Sequence, residues 1–169
     1  MNKNLAIVCA STTLLSACIS LPQTPAEVRE AGKTGSTFFT LESIEVQRPF
    51  PEVARTFAKK APECLEFALT STSKPVFGIG SQTSTYAWGK PTLRIDKDKA
   101  ELHFQGKFVN MLGKVPPDGW YYMVADAYPL SKNKTKVDIY WARAPLVVEA
   151  VKGWATGENL GCPDPTQIF

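Results

Sequence analysis

A chain of 169 residues, 44% hydrophobic and 11% aromatic, is about one domain long and has the apolar content for a proper core. A formal net charge of +3, with no stripe of Lys and Arg interleaved with aromatics, excludes a dedicated nucleic-acid face. Short basic groups such as Lys59-Lys60 and Lys132-Asn133-Lys134 read as solvated turns.

At the N-terminus one positive residue, Lys3, precedes an apolar-to-small run from Leu5 to Ala17. A helix of about 13 residues, rising about 1.5 Å each, cannot cross a hydrocarbon layer of ~30 Å. It does suit the apolar region of a secretory signal. The run closes on Leu15-Ser16-Ala17-Cys18: an aliphatic residue, two small residues and a cysteine. This resembles the lipobox of bacterial lipoproteins. The resemblance implies a signal peptide over residues 1–17, cleavage before Cys18 and acylation of the new N-terminus, with diacylglycerol on the Cys18 thiol. An ordinary secretory site that happens to precede a cysteine is the competing reading. Several acyl chains anchor stably where a single one holds only marginally. Ile19 stands where enterobacterial lipoproteins retained at the inner membrane resemble one another in carrying Asp. The resemblance therefore implies the periplasmic face of the outer membrane, with the inner membrane as the alternative.

Cys9 leaves with the signal and Cys18 carries lipid, so Cys64 and Cys162 remain. In an oxidising compartment they are natural disulfide partners. Closing a loop of roughly 100 residues is worth about 4.7 kcal/mol in the chain-entropy model. Two free buried thiols or a metal pair are the competing readings. No cluster of His or Cys accompanies either residue, and no metal is expected.

Residues 18–36 carry Pro, Thr, Gly and Ser with little apolar content, and read as a flexible tether. Glu27 to Ala31 allows a brief helical turn. A single domain is expected over residues 37–169. FFTLESIEV reads as a strand; a helix opens at Pro51, with Val53, Phe57 and Ala61 on one stripe, and ends before Pro62. CLEFALTSTS reads as a second strand. Tyr86-Ala87-Trp88 and Thr92-Leu93-Arg94-Ile95 read as separate strands around Gly89-Lys90-Pro91. Ala100 to Val109 alternates cleanly, with Leu102 and Phe104 inward and Glu101, His103 and Gln105 outward. WYYMVADAY and VDIYWAR follow as strands, and Pro145 opens a last helix carrying Val147, Ala150, Val151 and Trp154, with Gly157 as its cap.

This order predicts an α+β fold: a curved antiparallel sheet with a short N-terminal helix and a C-terminal helix packed on it. The layout resembles the helix-grip arrangement found in envelope-assembly lipoproteins of the BamC type and in START-like lipid carriers. That resemblance lies in element order over residues 38–160.

Chemistry is sparse. His103, the one histidine, reads as a surface sheet residue, and no G-x-S-x-G elbow, phosphate loop, EF-hand, zinc or dinucleotide pattern occurs. Glu66, Glu101, Asp126 and Asp138 show no spacing that marks a carboxylate pair. Neither catalysis nor a cofactor is expected. The unusual feature is apolar content on both faces of one strand, where Trp120, Tyr122, Val124 and Tyr128 alternate with Tyr121, Met123, Ala125 and Ala127. Burial on both sides, a lined cavity and an exposed partner surface each fit this pattern. Met111, Leu112 and Val115 make the preceding loop more apolar than solvent requires. Together with Trp120, Tyr121 and Met123 they are the candidate contact residues. The expectation is a lipid-anchored envelope lipoprotein with a non-catalytic domain that binds an envelope protein, accessory to envelope assembly or maintenance. A carrier or sensor of an apolar ligand in a helix-grip cavity is the alternative.

Overall fold

The computed structural model describes residues 22–73, 82–108 and 116–168. In chain order they form helix α1 (Pro25–Lys33), strand β1 (Thr40–Val46), helix α2 (Phe50–Leu65), strands β2 (Phe67–Ser73), β3 (Gln82–Ile95), β4 (Ala100–Phe108), β5 (Trp120–Ser131) and β6 (Lys134–Trp141), and helix α3 (Pro145–Thr156). A short 3-10 turn, Pro165–Gln167, closes the described chain. The strands make one antiparallel sheet in the order β1-β6-β5-β4-β3-β2, curved and not closed. The first strand thus pairs with the last. This is an α+β fold of helix-grip type, with α2 and α3 on one face of the sheet and α1 on the other.

The first face is the main core. Alternating residues Leu102 and Phe104 of β4 meet Phe57 of α2, and Trp154 of α3 packs into the same cluster. Phe57, Leu102, Phe104, Met123 and Trp154 are all fully buried and fill the space between the sheet and these two helices. Removing such side chains from water is worth about 1.5–3 kcal/mol each. The C-terminal helix forms as expected. Gly157 adopts the left-handed conformation at φ 81°, and its N–H donates to the Gly153 carbonyl at 2.8 Å. The Arg48 guanidinium then donates to the last carbonyls, Trp154 at 2.9 Å and Ala155 at 3.0 Å, where the helix dipole favours a cation.

Three expectations are corrected. First, α2 continues past Pro62 to Leu65. A proline inside a helix costs about 3 kcal/mol. Against that, the final turn buries Cys64 and Leu65 in the core. Second, β3 runs unbroken through Gly89-Lys90-Pro91. β2 pairs with β3 only as far as Gly89, so Pro91 lies where one side of the strand has no neighbour and a missing N–H is tolerated. Third, residues 25–33 are helix rather than tether, so the folded body includes them and is not confined to residues 37–169. Thr24 caps the helix by accepting from the Glu27 N–H, and Pro25 stands at its start.

A β-bulge revises the two-faced strand. Phe104 pairs with Met123 while Gln105 pairs with Tyr121, so Tyr122 is the extra residue on β5. Simple alternation fails at that point. Trp120, Tyr122, Met123, Ala125 and Ala127 all belong to the main core, whereas Tyr121 and Val124 belong to the opposite face.

Cys64 and Cys162 form a disulfide across a sequence separation of 98. It fixes the tail to α2 and accompanies the burial of Ile168 in the core. A Cys64→Ser/Cys162→Ser variant is expected to lose about 2–5 kcal/mol of unfolding free energy, read as a lower urea midpoint. An unchanged midpoint would contradict the stapling role.

Candidate functional site

Antiparallel register arranges the second face of the sheet in rows, because directly paired residues share a face. One row is charged: Arg94, Glu101, Asp126, Asp138 and Ser43 lie side by side across β3, β4, β5, β6 and β1. The next row, Thr92, His103, Val124, Tyr140 and Leu41, is largely apolar. A third row, Lys90, Gln105 and Tyr121, crosses β3, β4 and β5 only.

Three neighbouring carboxylates repel one another, and α1 supplies the opposite charge. Arg29 donates from Nε to Asp126 Oδ2 at 2.7 Å, and from Nη2 to Asp126 Oδ1 at 2.7 Å and Glu101 Oε1 at 2.9 Å. This two-pronged contact suits a planar guanidinium. Lys99 also contacts Glu101 and stands 3.5 Å from Asp126. Asp138 accepts from Ser43 Oγ at 2.5 Å and from Lys136 Nζ at 3.0 Å. Hydrogen bonding to Asp126 raises the Arg29 pKa, and the Lys99 contact holds the Glu101 carboxyl below its ordinary value. Burial pushes the Tyr128 phenol up to about 12, with the nearby Asp126 charge adding to the effect.

Packing completes the dock. Val28 is fully buried in a cluster with Phe39, Val124, Tyr140 and Ala142. At Gly32 an added Cβ would lie 2.9 Å from the Tyr140 ring, so glycine is what lets α1 approach this closely. The helix therefore covers the β5-β6-β1 half of the second face, which accounts for the apolar residues there.

His103 points outward from β4 as its alternation predicts, yet it is 8% exposed rather than a surface residue. Its ring meets Tyr121 edge-on at 6.2 Å, and Nε2 has no hydrogen-bond partner among the described residues. Burial lowers its pKa, and the Arg29 charge lowers it further, against opposing pulls from Glu101 and Asp126. An imidazole so enclosed, with its carboxylate neighbours committed to Arg29 and Lys99, is poorly placed to exchange protons with a substrate.

The half of the face that α1 leaves uncovered among the described residues holds a cleft of about 450 Å³ lined by Trp88, Lys90, Gln105, Pro117, Asp118 and Tyr121. The turn at one end is fixed. Gly119 has φ 73° and an N–H that donates to the Pro116 carbonyl at 3.0 Å, and Gln105 Nε2 donates to the Asp118 carbonyl at 3.4 Å. A Cβ at Gly119 would come within 2.3 Å of the Gly106 carbonyl oxygen and 2.8 Å of the Trp88 ring. Only glycine lets this loop press against the tryptophan.

Of the residues singled out from sequence, Tyr121 lines the cleft. Trp120 and Met123 are interior packing residues on the opposite face and offer no contact surface. Met111, Leu112, Val115 and Cys18 lie outside the described residues. Glu63 stands beside Cys64 and Cys162, but both sulfurs are spent on their mutual bond and supply no thiolate to a metal. Sequence reasoning missed Arg29, Trp88, Lys90, Gln105 and Asp118. Only strand register reveals the Lys90, Gln105 and Tyr121 row, and only the docking of α1 reveals Arg29.

No protein-family model matches the chain, and no curated protein matches it. Solved structures with a similar course include a hypothetical protein from Helicobacter pylori, at 9% identity and a TM-score of 0.38, covering 73% of this chain and 77% of that one. An uncharacterised protein from Bacillus thuringiensis is similar at 12% identity and a TM-score of 0.33, over 73% of this chain and 99% of that one. The di-domain ARO/CYC BexL is similar at 15% identity and a TM-score of 0.30, over 77% of this chain and 38% of that one.

Asp126 is 1% exposed, so removing its partner leaves a buried charge. Arg29→Met is expected to lower unfolding free energy by about 3 kcal/mol, and adding Asp126→Asn should recover part of that loss. Additive losses in urea titration would contradict the pairing. Stability should also fall with acid in two steps. Below pH 6.5 the unfolded histidine gains a proton that folded His103, with its depressed pKa, still refuses. Below pH 4.5 the stabilisation from ionised Glu101 begins to be lost as the pH falls towards its depressed folded value. In a His103→Leu variant the upper step should vanish while the lower remains; an unchanged upper step would assign it to another group.

Proposed function

We propose that the protein is a lipid-anchored component of the bacterial cell envelope, whose α+β domain is a non-catalytic binding module for another envelope macromolecule. The lipobox-like Leu15-Ser16-Ala17-Cys18 supports the anchor, and the disulfide suits an oxidising compartment. The same motif and Ile19 support periplasmic exposure from the outer membrane, with the inner membrane as the alternative. Six residues separate Cys18 from Pro25. At no more than about 3.6 Å each, they hold the body within roughly 25 Å of its anchor.

The observation that carries the binding reading is the half-covered second face. α1 closes the sheet over β1, β6 and β5, while Trp88, Lys90, Gln105 and Tyr121 surround an open cleft beside it. Tyr and Trp are favoured at recognition surfaces because each joins a large apolar ring to a polar end. The enclosure of His103 favours binding over chemistry.

Two measurements test this reading. Cys18→Ala should move the protein from the membrane to the soluble fraction; continued membrane fractionation would contradict a lipid anchor. In intact cells, a photo-crosslinking residue at position 90 should form discrete adducts, and one at Arg55, exposed on α2, should not. Equal labelling at both positions, or none at position 90, would count against the open half as the binding surface.

A further inference from the structure

The chemistry of the cleft narrows what it binds, given the reading of the open half as a binding surface. Its two rings, Trp88 and Tyr121, come from β3 and β5, with Gln105 of β4 between the strands that carry them. Lys90 brings one positive charge and Asp118 one negative charge. An anionic ligand meets Asp118 and a cationic ligand meets Lys90, so neither gains uniformly from the site. A lipid tail meets an ammonium, a carboxylate and an amide that it cannot satisfy. A ligand that is neutral overall, carries many hydroxyls and has flat apolar patches satisfies every group present. Sugar rings have this character: their C–H faces pack on aromatic surfaces while their hydroxyls both donate and accept.

We propose that the cleft of Trp88, Lys90, Gln105, Asp118 and Tyr121 binds a neutral glycan segment. Trp88 and Tyr121 present ring surface to the C–H faces of the sugar. Lys90 donates to hydroxyl oxygens, the Asp118 carboxylate accepts from hydroxyl hydrogens, and the Gln105 carbonyl accepts beside it. The volume, about 450 Å³, lies within the roughly 300–1,000 Å³ of small-ligand sites. Preorganisation supports the same reading. The Gly119 turn and the Gln105 to Asp118 hydrogen bond fix the rim, and His103 packs edge-on against Tyr121. Little conformational freedom is then lost when a ligand arrives.

The test uses the full chain in micelles of a detergent without a sugar headgroup, titrated calorimetrically with tetra-N-acetylchitotetraose and with maltotetraose, both neutral. Saturable binding of one of them is expected, weakened about tenfold or more by Trp88→Ala and by Lys90→Ala. Lys90 is exposed, so its variant keeps the fold, and matching thermal midpoints confirm that. Leu146→Ala, exposed on α3, should bind as the parent does. No saturable binding at millimolar concentration, binding by the Lys90 or Trp88 variant as tight as the parent's, or displacement by inorganic phosphate would each overturn the proposal. If the glycans fail while position 90 still crosslinks to a protein in cells, the glycan assignment falls and the binding reading stands. If both fail, both fall.

Discussion

A single guanidinium organises the second face of this protein. Strand register sets Glu101, Asp126 and Asp138 next to one another, and Arg29 of α1 bridges the first two. Opposite unit charges about 4 Å apart attract by about 4 kcal/mol at an effective dielectric constant near 20. Removing the ions from water costs several kcal/mol each, so attraction and desolvation nearly cancel. The pair therefore fixes where α1 sits more than how firmly it is held. Firmness comes from Val28 at about 1.5–3 kcal/mol, and from the close approach that Gly32 allows against Tyr140. Losing the arginine is nonetheless costly, because Asp126 would stay buried without its main partner.

Where α1 sits decides what remains open. The helix covers the β1, β6 and β5 side, and among the described residues no helix covers Trp88 and Lys90 of β3 or Gln105 of β4. The same arrangement engages the Glu101 and Asp126 carboxylates with Arg29 and leaves His103 enclosed beside Tyr121. A face divided in this way has one half devoted to its own cohesion. The other half holds rings, an amide and two opposed charges around a cleft.

The elements with a strong period were readable in the sequence. Val147, Ala150, Val151 and Trp154 fall on one buried stripe of α3, and the inward alternation of Leu102 and Phe104 fixes the orientation of β4. What the sequence concealed depends on long-range pairing. α1 is polar apart from Val28 and its small residues, because its main contact is ionic, so its composition resembles that of a linker. The bulge at Tyr122 reverses which residues of β5 face the core, and nothing local announces it. Trp120 and Met123 therefore looked like surface candidates when they are interior residues. Pro62 and Pro91 read as breaks, yet the first is offset by core burial at the end of α2 and the second lies beyond the reach of β2. The Cys64–Cys162 disulfide, by contrast, was legible from cysteine arithmetic.

The division of the face by α1 is the central claim, and native-state hydrogen exchange on the unmodified protein tests it most directly. The amides of Val28 to Ala31 should exchange slowly, with protection approaching that of β5 and β6 beneath them. Exchange at the rate of a free peptide over residues 25–33 would return this segment to a mobile tether and leave Asp126 without Arg29.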